Sequence, residues 1–387
     1  MSELELLFLV LALIYAWECT CWFRRGSVAV LTWLGRRWHT VHPGALLGNQ
    51  HGGIVLANPL PPLGGIVSGN QYPLSLAPDA ILVWVSTGVN PGWRPPQSGR
   101  FFRFDQIQTV EARGRNLRIN GQTVLRGSSP LFAHHLAQQL LGLQKTDPAA
   151  RAKAIEKIFR DAFDTKAIEQ RWKEHRRRTR VIQWLVNALF LYVFAAVPFL
   201  IHYAGLKRTW MGLLVGLLAL TSSTAFLFRR AHKASHPDAK DERFTHFLTI
   251  LLSPATAIRT HDILSRTLLE VFHPLAIARV FCPREAFQRF AATVVREIHF
   301  PPLPLAPAAD AGAEAVERFS RAALQKSVEV FLIRNGIHPD ELLRPPARAD
   351  ETCQSYCPRC GQQFTTASGK CSDCGGRELV KFDGSKA

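Results

Sequence analysis

Four of the eight cysteines in this 387-residue chain carry a spacing that specifies a chemistry. Cys357-Pro-Arg-Cys360 and Cys371-Ser-Asp-Cys374 are two C-x2-C pairs separated by ten residues. Each pair folds into a tight knuckle that turns both sulfurs toward one ion. Gly361 and Gly375 follow the second cysteine of each pair, where the turn needs a backbone without Cβ strain. Four thiolates close a tetrahedral shell and leave no open position for water, so Cys357, Cys360, Cys371 and Cys374 predict a structural zinc. An iron site and a redox dithiol are the other uses open to the same residues. Cys353 is a further donor, although C-x3-C makes a poorer knuckle. A segment this small has no other core, so the metal supplies most of its folding free energy.

The CPxCG and CxxCG elements resemble the short zinc ribbons found in many bacterial proteins. That resemblance covers about 25 residues. It implies a small three-stranded ribbon, with strands at 362–366 and 378–382, that binds protein or nucleic acid or simply folds. It is specific for the metal and not for a function.

Other combinations of reactive side chains fall short of a site. His261-Asp262 matches a metal-hydrolase dipeptide, but no second His/Asp set stands at a useful spacing. His134 and His135 are neighbours on a helix and point about 100° apart, unlike i, i+4 ligands. Ser128-Ser129 and Ser222-Ser223 lack a matching His and Asp context. The chain holds no Walker loop, dinucleotide fingerprint or G-x-S-x-G. The reading leans away from an enzyme. The remaining cysteines, Cys19, Cys21 and Cys282, do not make a secreted disulfide framework, which fits a reducing compartment.

The element that places this motif is the stretch 181–228. It reads as two apolar helices joined by a short turn, each about the 20 residues that a bilayer crossing needs. RWKEHRRRTR precedes it and RRAHK follows, while the turn holds Lys207 and Arg208. The positive-inside rule then predicts a transmembrane hairpin with both flanks cytoplasmic. Pro198 predicts a kink. Gly212 and Gly216 form a G-x-x-x-G step suited to helix packing or self-association, with Thr221 to Thr224 adding hydrogen bonds. His202 is the ionisable residue inside the span, near its outer end, which argues against a transporter.

Residues 1–23 predict a third, N-terminal anchor. Glu3 and Glu5 stand before it, Arg24 and Arg25 behind it, so its N-terminus is expected outside. Glu18 is discordant, and a helix lying in the interface is the alternative. Residues 26–99 are rich in Gly, Pro and Asn, and 58–79 are expected as extended loop leading into strand. A β-rich, α+β module is expected within 24–146. Its strands fall at 80–86, 101–104 and 107–112, and Asn120-Gly121 makes a two-residue hairpin between 116–119 and 122–126. A helix at 130–143, with Leu131, His135, Leu136, Leu140 and Leu141 clustered, would close it. Strands followed by a closing helix resemble the element order of a pleckstrin-homology-like module, which implies lipid or protein binding.

The segment 147–180 predicts a basic juxtamembrane helix or helix pair. Its residues 151–180 carry eleven Lys/Arg against five Asp/Glu. Its stripe of Ile155, Ile158, Phe159, Phe163, Ile168 and Trp172 fits a helix on the membrane surface or one packed on the β-rich module, with equal weight. Residues 229–345 read as helical, with helices at 241–257 (broken by Pro254), 262–272, 284–298 and 311–334, the last stopped by Asn335-Gly336. Residues 351–387 are the ribbon.

Hydrophobic content of 47% makes any membrane part a minority of the chain, and the net charge of +17 favours anionic partners. Much of that charge sits beside the hairpin, so anionic lipid head groups are preferred over nucleic acid. Arg359, Lys370 and Arg377 are the few ribbon cations that a nucleic acid would meet. The chain is thus expected to be a multi-domain, multi-pass protein of a bacterial inner (plasma) membrane. Its N-terminus lies outside, and the bulk of the chain and the C-terminus are cytoplasmic. Its expected function is that of a membrane-tethered, non-catalytic interaction or scaffold protein with a protein partner. The rival functions are a membrane-bound enzyme with an unrecognised cytoplasmic site and a membrane-held nucleic-acid binder.

Overall fold

Short β-branched runs near the N-terminus form a sheet within the expected β-rich module, at positions where no individual strand is expected from the sequence. In the computed structural model, β1 (Val28–Trp33) pairs antiparallel with β2 (Arg36–Val41) and parallel with β3 (Ile54–Ala57), in the order β2-β1-β3. The runs VAVLTW and IVLA have strand propensity, but the glycines and prolines around them mask it. The structure describes residues 6, 9, 13, 28–33, 36–41, 54–57, 74–84, 99–300 and 311–382, apart from 128, 236–239, 267 and 375. The expected anchor at 1–23 therefore lies outside the described residues except at Leu6, Leu9 and Leu13, which are helical and exposed.

Two antiparallel meanders follow. β4 (Leu74–Leu76), β5 (Ala80–Trp84) and β6 (Gly99–Arg103) form one, and β7 (Val110–Arg113), β8 (Asn116–Ile119) and β9 (Gln122–Arg126) the other. The Asn-Gly hairpin is present, with φ of 50° at Asn120 and 75° at Gly121, the two left-handed positions a type I′ turn requires. Asn120 also ties the preceding loop. Its Oδ1 accepts from Gln108 N (2.8 Å) and Thr109 N (3.2 Å), and its Nδ2 donates to Gln106 O (2.9 Å).

Helix α1 (Pro130–Lys145) is capped by Ser129, whose Oγ accepts from Phe132 N at 3.1 Å. Its buried face is Phe132, Ala133, Leu136, Ala137, Leu140 and Leu143. This corrects the expected Leu-centred stripe, because Leu131 and Leu141 are only partly buried while two alanines let the helix sit close to the sheets. Asp147 caps α2 (Pro148–Asp161) and Asp164 caps α3 (Thr165–Leu191). Ile155, Phe159, Phe163 and Ile168 are buried in the body's core, so that stripe packs on protein instead of lying on a surface.

Helix α3 does not stop at Arg180. It continues through a π-helical turn (Tyr192–Ala196) into α4 (Val197–Ala204), a helical run of 40 residues. The π turn sits where Pro198 lacks an N–H and its ring crowds the carbonyl of Phe194, a common way to absorb a proline inside a helix. Gly205, at φ +76°, ends α4, and α5 (Leu206–Ser235) begins at the next residue, so Lys207 and Arg208 occupy its first turn.

Among the described residues, these two helices are long and apolar enough to cross a membrane. Only 11% and 22% of their apolar windows are buried, whereas a core helix of a soluble fold is mostly covered. Trp184, Phe199, Trp210, Val215 and Phe226 are exposed large side chains along them. Gly216 serves contact within the pair. A Cβ there would stand 2.5 Å from the Tyr192 hydroxyl, which donates to Leu213 O at 2.7 Å. Gly212 faces open space.

Helix α6 (Lys240–Leu252) stops before Pro254, where Ser253 caps the short α7 (Pro254–Ile258). α8 (Thr260–Arg266) ends six residues before the expected boundary at 272. The chain then turns so that Glu270 points inward, and His273 caps α9 (Pro274–Phe281), a helix not anticipated from the sequence. α10 (Arg284–His299) buries Phe287, Phe290 and Val294. α11 (Ala311–Arg334) ends in a Schellman motif, with Gly336 at φ +72°, Gly336 N donating to Ile333 O and Ile337 N to Leu332 O. α12 (Pro339–Leu342) follows.

Residues before and after the hairpin share one core. Leu117, Leu136, Phe159 and Ile168 belong to the same buried cluster as Leu275, Phe290, Val294 and Phe331. Ser129 Oγ donates to Glu270 Oε2 at 2.7 Å, a buried bond between residues 141 positions apart. A second cluster joins the hairpin (Ile182, Val186, Leu189, Ala225, Phe228) to Ile250, Ala257, Ile258 and Leu264.

Candidate metal centre

The C-terminal segment is built on very short strands. β10 (Ser355–Tyr356) lies between β11 (Gln363–Phe364) and β14 (Val380–Lys381), and β12 (Lys370–Cys371) pairs with β13 (Arg377–Glu378). A three-stranded sheet is therefore present, with its strands near the expected positions. Strands of two residues contribute little by themselves, and what holds the two halves together is the cysteine cluster between them.

The donor atoms of Cys357, Cys360, Cys371 and Cys374 all lie within 4.8 Å of one another. A tetrahedron with sulfur about 2.3 Å from its centre has edges of about 3.8 Å, and Cys360 Sγ and Cys371 Sγ are 3.8 Å apart. The four thiols thus fit a tetrahedral, thiolate-bound ion. Each half is locked by backbone bonds: Gly361 N to Cys357 O (2.8 Å) and Cys357 N to Gln362 O (2.8 Å) in one, Gly376 N to Cys371 O (2.9 Å) in the other. Gly361 has φ +76° and Gly376 φ +85°, so both turns need glycine. Gly375, where the sequence places the glycine of the second knuckle, lies outside the described residues.

Packing four thiols together sets their protons against one another. Hydrogen bonding, from Cys374 above all, holds the Cys360 thiol down to about 5. Burial and the nearby Cys360 and Cys357 push Cys371 up to about 11, and the hydrogen bond to Cys360 raises Cys374 further. One thiolate forms readily, and its neighbours resist ionising beside it. A central cation removes that resistance.

Cys353 is not a member of the cluster. It packs with Tyr356 and Phe382 in a separate small core, with the two rings 5.0 Å apart and Arg348 over Phe382 at 5.2 Å. Among the described residues, no other group of three or more His, Cys, Asp or Glu side chains converges in this way.

The ribbon is fastened to the body. Gln363 clamps the incoming linker, its Oε1 accepting from Ala349 N (2.8 Å) and its Nε2 donating to Ala347 O (2.7 Å). Arg377 lies over the Phe300 ring at 5.5 Å, just past α10. Arg296 of α10 donates to Arg344 O and reaches to 2.8 Å from where a Cβ on Gly361 would stand. A guanidinium at the first knuckle would lie close to the excess negative charge of four thiolates if they held a divalent ion.

A polar seam that local sequence patterns do not reveal lies at the base of the hairpin. His175 on α3 and His261 on α8 have ring centroids 5.3 Å apart. The Thr179 hydroxyl donates to His175 O at 2.8 Å, so it accepts from His261 Nε2 at 3.3 Å. Burial, and then Arg176, lower the His261 pKa to about 4, so this imidazole is neutral. No spacing rule links residues so far apart in the chain.

No protein-family model, no curated protein and no solved structure matches the chain. The zinc-ribbon and pleckstrin-homology-like resemblances accordingly gain no family from comparison.

Proposed function

We propose that this protein is held in a bilayer by the 181–228 hairpin and acts as a non-catalytic docking platform, with a structural zinc at Cys357, Cys360, Cys371 and Cys374. The shared core carries this reading. Chain from before and after the two apolar helices folds into one body, so a hairpin that enters and leaves the membrane on one side is consistent with it, and a single crossing is not. The basic flanks make that side the cytoplasm of a bacterium-like cell. Four thiolates suit zinc better than hard cations such as Mg2+ or Ca2+, and with no open coordination position its role there is to fold the ribbon. The ribbon, fixed against α10, then offers a rigid surface to a protein partner. With Arg377 turned onto Phe300, a nucleic-acid role for the ribbon is the lesser alternative. The enzyme alternative rests on His175, Thr179 and His261, a buried pair of imidazoles with no third ligand-type side chain among the described residues.

Membrane fractionation with two reporters tests the topology. The full-length protein is expected to stay in membranes through alkaline carbonate extraction. A tag after Ala387 and a second tag inserted between Thr146 and Asp147 are expected to be reachable from the same side. Release by carbonate, or tags on opposite sides, would refute the hairpin.

A further inference from the structure

The cations that follow the hairpin do not simply coat a surface. Arg229 and Lys233 at the end of α5, with Lys240, Arg243, Phe244 and Phe247 at the start of α6, line a cavity of about 450 Å³. That volume is within the range of small-molecule sites. Positions 240, 243, 244 and 247 recur at i, i+3, i+4 and i+7, so they share one helical face, and the acidic positions 241 and 242 fall outside that stripe. The Arg229 guanidinium lies 5.8 Å from the Phe247 ring centroid, which gives one wall of the cavity a fixed cation.

The direction of α6 supplies the second observation. Phe228 meets His246 at 5.9 Å between ring centroids, and Ile250 is buried with Ala225 and Val186. Helix α6 therefore runs back along α5 toward the apolar part of the hairpin. On the way it exposes Phe244, Leu248 and Leu252, at 63%, 37% and 78%, again on one helical face. A cationic pocket opens directly onto an exposed apolar stripe, and both lie at the level where the long apolar helix becomes basic.

We infer that this elbow binds an anionic phospholipid, with the head-group phosphate among Arg229, Lys233, Lys240 and Arg243 and an acyl chain along Phe244, Leu248 and Leu252. The phosphate chemistry alone would also suit free inorganic phosphate. The continuous apolar stripe commits the site to a lipid, because a soluble anion has no use for it. The inference rests on the membrane reading above and names the partner of one site within it.

Native mass spectrometry of the full-length protein in detergent micelles, titrated with phosphatidylglycerol or phosphatidylcholine, tests the site. The wild type is expected to retain phosphatidylglycerol in preference. The triple variant Arg229→Gln/Lys233→Gln/Lys240→Gln should lose roughly 100-fold in that affinity, each cation near an anionic lipid contributing about a factor of five. All three side chains are exposed, and a charge-retaining variant, Arg229→Lys/Lys233→Arg/Lys240→Arg, should bind like the wild type. Equal retention of phosphatidylcholine, or a triple variant that binds like the wild type, would overturn the site. Displacement of phosphatidylglycerol by millimolar inorganic phosphate would overturn the lipid assignment. Carbonate extraction of the same membranes separates the two readings. Release refutes the membrane reading, whereas a protein that stays in the membrane without charge-dependent retention refutes the pocket alone.

Discussion

Cys357→Ser in the full-length protein should lower bound zinc from about one ion per chain to less than about a tenth of that. Cys357 is fully buried between the knuckles, and its backbone N–H is already committed to Gln362 O. A hydroxyl in its place is a poor ligand for a soft ion and leaves three thiolates with an open position. Structural zinc sites contribute on the order of 10–16 kcal/mol of apparent binding free energy, most of it expressed as folding. The ribbon has no comparable reserve, since apart from the cysteine cluster, with Phe364 and Leu379 partly buried against it, its core is Cys353, Tyr356 and Phe382. The ribbon should therefore unfold while the body, with a separate core, stays folded. Elemental analysis gives the first result, and proteolysis confined to residues after Arg344 gives the second. Cys353→Ala is the control, because Cys353 lies outside the cluster, and it should keep a full complement of metal. Unchanged zinc in Cys357→Ser, or zinc lost in Cys353→Ala, would make the ligand set wrong.

Phe290→Ala should destabilise the body by about 3–5 kcal/mol, the usual cost of emptying a fully buried aromatic site. Phe290 lies on α10, after the hairpin, and is 1% exposed. Its cluster also contains Leu117 and Ile119 from the β7-β8-β9 meander, far before the hairpin. One cooperative core predicts that amide exchange quickens at β8 as well as along α10, by a similar free energy. Faster exchange limited to α10, with β8 unaffected, would mean that the two flanks fold as separate units.

Where the sequence was informative, the signal was local. Asn120-Gly121 needs two left-handed residues, and that requirement places the hairpin within a residue. Asn335-Gly336 ends α11 for the same kind of reason, and Pro254 breaks the apolar run at α6. The four cysteines are all within one short segment, so their spacing alone brought the cluster together on paper. Three kinds of feature are not legible in local sequence. Strands β1 and β3 pair in parallel, Val28 with Ile54 and Leu31 with Ala57, across a long intervening stretch, and the composition around them outweighs their own propensity. The shared core was invisible because its partners sit on opposite sides of the hairpin. Nothing in the local pattern at Ser129 announces Glu270, or at Thr179 announces His261. Helix α9 is not legible because PLAIARVF is only eight residues long, shorter than the window over which a helical period can be told from a buried strand.

The measurement that bears most directly on the docking reading is affinity purification of the detergent-solubilised full-length protein, compared between wild type and Cys360→Ser/Cys374→Ser, with mass spectrometry of what is retained. A folded ribbon as the docking surface predicts a specific protein that accompanies the wild type at near-stoichiometric amounts and is lost from the double variant, while the variant itself remains in the membrane fraction. Partners that are the same in both, or none in either, would contradict it.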